Sequence, residues 1–120
     1  MPLFVIDTNI FVLHLADLEP IELVTGVAAV SSVSVYELLR YPGMSLEEKK
    51  KIEELLATCV EISLNSTIAR RAAEISMIRP KMKPLDVFIA ATAMVYSLPL
   101  VTKNIRDFKG VKGLKLRSSI

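Results

Sequence analysis

The 120-residue sequence contains one cysteine, one histidine, no tryptophan and only four glycines. A lone Cys59 excludes a disulfide framework within the chain and is in keeping with a reducing compartment. One Cys and one His cannot supply zinc-finger spacing. The longest apolar stretch, Val87 to Val95, is interrupted by Thr92 and falls far short of the ~20 residues of a membrane span. No basic segment followed by a signal-like apolar run opens the chain, so a cytoplasmic location is expected, with no membrane partner. Repeats, low-complexity tracts and linkers are missing as well. What remains is 52% apolar, enough for one compact domain over residues 1–120 that buries roughly two-thirds of its surface on folding.

Net charge is only +2, but its distribution is lopsided. Residues 1–78 hold six basic and eleven acidic side chains, whereas residues 79–120 hold nine basic and two acidic. A basic region of this kind reads either as a solvated face or as a phosphate-binding surface.

Short β-branched runs alternate with longer helical patterns. Leu3-Phe4-Val5-Ile6 is right for a strand buried on both faces, and Asp7-Thr8-Asn9 offers N-caps for the apolar stretch Ile10 to Leu18. Val27 to Ser32 reads as a second strand, followed by a short helix capped by Ser32 or Ser34 and ended by Pro42-Gly43. Ser45 and Glu48 form a capping box for a helix that turns Leu46, Ile52, Leu55 and Leu56 to one side. Val60 to Leu64 alternates as a strand. Asn65 or Ser66 caps a helix carrying Ile68, Ala72, Ile75 and Ile78. Pro84 opens a nearly all-apolar helix to about Ser97. Leu98 to Thr102 is a strand, and Leu114 to Leu116 a short last one. Parallel neighbours need helical crossovers, so the order predicts an α/β fold: three layers, α/β/α, around a mostly parallel sheet of four to five strands.

In open parallel sheets ligands bind beyond the carboxyl ends of the strands, and acids gather there. Asp7 follows the first strand, Glu37 sits early in the helix after the second, Asp86 lies in the first turn of the apolar helix, and Asp107 follows the strand ending at Thr102. Singly, each reads equally well as a cap, a first-turn acid, an exposed helix residue or a turn former. Jointly, carboxylates about 4 Å apart repel by about 4 kcal/mol at an effective dielectric of 20. Such a cluster needs a bound cation or raised pKa values. Oxygen ligands without His or Cys select a hard cation, Mg²⁺ or Mn²⁺. Beside a basic surface, that ion suits hydrolysis of a phosphodiester.

Val5-Ile6-Asp7-Thr8-Asn9 resembles the opening of PIN-domain ribonucleases, especially the VapC toxins of toxin–antitoxin pairs. Three further stretches match in order: Ser34-Val35-Tyr36-Glu37-Leu38, Leu85 to Ala93, and Leu100-Val101-Thr102-Lys103-Asn104 with Ile105-Arg106-Asp107-Phe108. The resemblance implies a PIN-like, metal-dependent endoribonuclease with Asp7, Glu37 and Asp86 as its acidic, metal-holding core. It also implies a homodimer and a cognate antitoxin that blocks the site. The fourth acid of the family occupies, in many members, the slot that is Asn104 here; in others it is the Asp matching Asp107. We expect Asp107 to help, directly or through water, and Asn104 to orient substrate or a water. Thr8, Asn9 and Thr102 match positions that hydrogen-bond the carboxylates. Lys103 and Arg106 flank the site as RNA-phosphate contacts. The 30-residue step from Asp7 to Glu37 is short for this family, which leaves less room for the helical clip between the first two strands.

Alternatives are a catalytically silent PIN-like module that binds RNA, an RNA-processing nuclease that is no toxin, and, more remotely, a receiver-like signalling domain. The last lacks a phosphoacceptor, because Asn65-Ser66 follows the central strand. His14, seven residues beyond Asp7, lies about 10 Å along a helix from it and reads as a core or dimer-face residue. Cys59 reads as a small buried hydrophobe.

Overall fold

A computed structural model describes residues 1–18 and 21–120. Five strands, β1 (Phe4–Ile6), β2 (Ala28–Ser31), β3 (Val60–Ile62), β4 (Leu100–Val101) and β5 (Leu116–Arg117), form one sheet in the order β3-β2-β1-β4-β5. Every neighbouring pair is parallel. The connections are α1 (Thr8–Leu15), α2 (Ser32–Leu39), α3 (Leu46–Leu56), α4 (Ser66–Ile78), α5 (Pro84–Val95) and α6 (Ile105–Phe108).

The three layers follow from the two-residue period of the strands. Val5, Ala29, Ile62 and Leu100 face Ile68, Ala72 and Ile75 of α4 and Val87, Ile89, Ala90 and Ala93 of α5. Their neighbours Phe4, Ile6, Ala28, Val30 and Val101 face Ile10 and Phe11 of α1, Leu38 of α2 and Ile52 of α3. Strands covered on both faces can be apolar throughout, as β1 is. Among the described residues, no helix is long and apolar enough to cross a membrane.

Several local expectations are corrected. The cap of α2 is Ser31, not Ser32 or Ser34: Ser31 keeps extended backbone at φ −73° and ψ 145°, and its Oγ accepts from Val33 N. Ser32 is already helical, and Ser34 is fully buried. Leu46 and Ile78, at opposite ends of α3 and α4, are exposed, because the terminal turns of both helices run past the packed face. Helix α5 stops at Val95, and Ser97 takes left-handed backbone at φ 54°. The last strand begins at Leu116, after the expected Leu114. One-turn helix α6 is too short to show a periodicity in sequence. Elsewhere the caps form as expected, Ser45 with Glu48 as a reciprocal box and Asn65 on Ile68 N.

Candidate active site

After β1 the chain runs outward to β2 and β3, then returns to β4 and β5 on the other side. The crevice between the carboxyl ends of β1 and β4 is therefore the topological switch point of the sheet. Asp7 leaves β1 there and Thr102 leaves β4, with Asp7 N donating to Val101 O at 2.9 Å.

Both oxygens of the Asp7 carboxylate are held. Oδ1 accepts from Thr8 N at 2.9 Å, and Oδ2 accepts from Thr102 Oγ1 at 2.7 Å. Thr102 Oγ1 in turn accepts from Asn104 N at 2.9 Å. Thr8 grips a second acid, because its hydroxyl donates to Glu37 Oε1 at 2.8 Å. That spends the single Thr8 hydroxyl proton, so the 2.7 Å contact between Ser34 Oγ and Thr8 Oγ1 must be a donation from Ser34. Ser34 and Glu37 share one side of α2 by their three-residue spacing. One threonine thus orients two carboxylates, one with its amide and one with its hydroxyl.

Asp86 sits in the first turn of α5, where Pro84 begins the helix and Lys83 at the N-cap makes no side-chain cap. A carboxylate there is favoured by the helix dipole. The acids share one field. Burial pushes the Asp7 carboxyl up to about 6; the bond from Thr102 opposes this, the Asp86 charge adds to it, the Thr8 amide opposes it, and Glu37 adds again. Half-buried Asp86 is also raised, by burial first, then by Glu37 and Asp107, with Lys83 lowering it. Asp7, Glu37 and Asp86 therefore converge electrostatically, and Asp107 adjoins them on the Asp86 side.

The other expected residues divide. Thr8 and Thr102 bond the carboxylates; Asn9 does not, and its Oδ1 is buried without a hydrogen-bond partner among the described residues. Asn104 caps α6 with no side-chain bond and reaches the site through its main-chain N–H. Asp107 and Arg106 are exposed on α6, and Lys103 is exposed just beyond Thr102. His14 Nδ1 accepts from Ile21 N at 3.2 Å, which ties Ile21 to α1. Cys59 is half-buried, with its thiol pushed up by burial. Sequence reasoning missed Ser34 as a site residue, although its spacing to Glu37 signalled it.

A hard divalent cation fits this arrangement. All the donors are oxygen, Asp86 and Glu37 raise Asp7 while Glu37 and Asp107 raise Asp86, and the side-chain oxygen of Asn9, two residues from Asp7, lacks a partner among the described residues. Among the described residues no three His, Cys, Asp or Glu side chains form a ready-made cage. A cavity of about 440 Å³ lined by Val12, Leu15, Leu38 and Ile52 lies away from all four acids.

The family model described as PIN domain matches residues 4–114. The fold is similar to a chain of DNA-bound VapBC from Salmonella typhimurium, with TM-score 0.84, 22% identity and 98% of each chain covered. It is also similar to a chain of a toxin–antitoxin complex from Klebsiella pneumoniae, with TM-score 0.72, 25% identity, and 92% of this chain and 94% of that one covered. VapBC2 from Rickettsia felis, bound to a fragment of its promoter, gives TM-score 0.77 at 20% identity over 96% of this chain and 97% of that one. No protein with a curated description matches the sequence.

Proposed function

The chain belongs to the PIN-domain family, and from that premise we propose that it is a metal-dependent endoribonuclease, the toxin of a toxin–antitoxin pair. The observation that carries the reading is the shared field of Asp7, Glu37 and Asp86 at the switch point of a parallel sheet, with Asp7 buried and raised to about 6. Buried acids that repel one another are a standing cost to the fold unless a cation or a proton offsets them.

Asp7, Glu37 and Asp86 would hold Mg²⁺ or Mn²⁺. When bound, that ion supplies Lewis-acid charge at a phosphoryl oxygen and lowers the pKa of water. The chain's own residues prepare the site. Thr8 and Thr102 fix Asp7, so its ionised oxygens need no reorientation when substrate arrives. Ser34 passes a hydrogen bond through Thr8 to Glu37, which holds the second carboxylate in one rotamer. Asp107 lends negative charge on the Asp86 side. Lys103 and Arg106, exposed at the rim, would meet RNA phosphates.

The Salmonella, Klebsiella and Rickettsia chains come from toxin–antitoxin complexes, which supports an antitoxin partner here; the chain would also pair as a homodimer. Cleavage of single-stranded RNA in Mn²⁺ tests the activity. Asp7→Asn and Asp86→Asn should each abolish it while circular dichroism stays unchanged; full activity in either variant overturns the assignment.

A further inference from the structure

A cavity of about 220 Å³ opens where the turn from α4 to α5 meets α6, and its charged lining is Arg79, Lys81, Lys83, Asp86, Arg106 and Asp107. Four cations thus stand beside two acids of the candidate centre. None of the four forms an ion pair with an acid among the described residues.

Arg79 is fixed there by the fold. It ends α4 as the C-cap, and its Nη1 donates to the Lys109 carbonyl at 3.0 Å. Its guanidinium lies against Gly110, where a Cβ would overlap it and where the backbone has φ +106°. Two segments 30 residues apart in sequence therefore hold a planar fork that has further N–H donors to offer. Lys81 and Lys83 sit on the short segment between Pro80 and Pro84, closed by Met82 N donating to Arg79 O at 3.1 Å. Little chain entropy is left to lose when that segment takes a ligand.

We propose that this cavity is a subsite for a backbone phosphate of the RNA strand next to the phosphate being cut, with Arg79 as its fixed donor and Lys81, Lys83 and Arg106 as its remaining cations. The subsite rests on the nuclease reading, since Asp86 and Asp107 form its inner wall. It gathers four of the nine basic residues of the segment 79–120 in one place. A phosphate seated there sets the register of the strand, and a cation on the acids offsets their repulsion of it.

Binding of a fluorescent single-stranded oligoribonucleotide, followed by anisotropy in Ca²⁺, a hard cation that offsets the acids, over a range of KCl, tests the proposal. Lys81→Gln with Lys83→Gln should weaken binding about tenfold and flatten the log–log salt slope by about 0.7, the value for one phosphate contact. Arg79→Lys should also weaken binding, because an ammonium cannot reproduce the fork, and thermal unfolding of both variants shows that they are folded. Unchanged affinity and slope in both variants, while wild-type protein still cleaves RNA in Mn²⁺, overturns the subsite and leaves the nuclease standing. Wild-type protein that neither binds nor cleaves RNA overturns both. An equal loss of affinity for oligoglutamate would assign the cavity to acidic protein segments and overturn the RNA proposal.

Discussion

Asp7 is an acid whose folded state holds its proton more tightly than the unfolded chain does, with a pKa of about 6 against 3.8. Below 3.8 both states are protonated and its burial costs nothing extra. As pH rises through the interval to about 6, the unfolded chain ionises first and stability is lost. Above that the deficit is complete, on the order of 3 kcal/mol. Asp7→Asn should therefore be more stable than wild type at about pH 8, with the gain vanishing near pH 4, as urea melts at the two pH values would show. Wild-type cleavage should rise as pH passes through about 6, where the carboxylate becomes available to a cation. Thr8 offers a second test. Thr8→Val strands Glu37 and Ser34 together and should cost about 1–3 kcal/mol along with most of the cleavage. Thr8→Ser should retain both, and parallel denaturation and rate measurements would separate the two variants.

Helix α5 serves the core and the site at once. Its face of Val87, Ile89, Ala90, Ala91 and Ala93 is buried against the sheet, and its first turn carries Asp86. Ile89→Ala should cost about 2–5 kcal/mol and lower activity as well, because the helix that aims Asp86 loses its packing. Helix α3 serves the fold alone. Ser45→Ala removes its reciprocal cap and should cost about 1 kcal/mol in urea unfolding, with the cleavage rate unchanged. The contrast separates a helix that positions chemistry from one that only covers the sheet.

Over the whole molecule, charge and topology are combined at one end of the sheet. The order β3-β2-β1-β4-β5 opens a crevice between β1 and β4, the acids collect there, and a cation-rich cavity borders them. Binding of a divalent ion to the native state alone should raise the melting temperature at about pH 8. At about a hundredfold excess over Kd the gain is ~2.7 kcal/mol. Scanning calorimetry with Mn²⁺ should show this rise, EDTA should abolish it, and Asp86→Asn should diminish it.

The alternation of apolar runs with capped helical patterns specified a parallel α/β domain, because strand and helix periods and cap chemistry are local properties. The order of motifs around Asp7, Glu37 and Asp86 pointed to the acids for the same reason. Strand order, by contrast, comes from long-range packing, so the switch point that brings Thr102 onto Asp7 across 95 residues was not written in any single segment. Nor was the Ser34–Thr8–Glu37 relay, which needs α1 and α2 side by side. The Arg79 fork also waited on the tertiary structure: Lys109 and Gly110 reach it from 30 residues away, and proximity at that separation is set by how the layers stack.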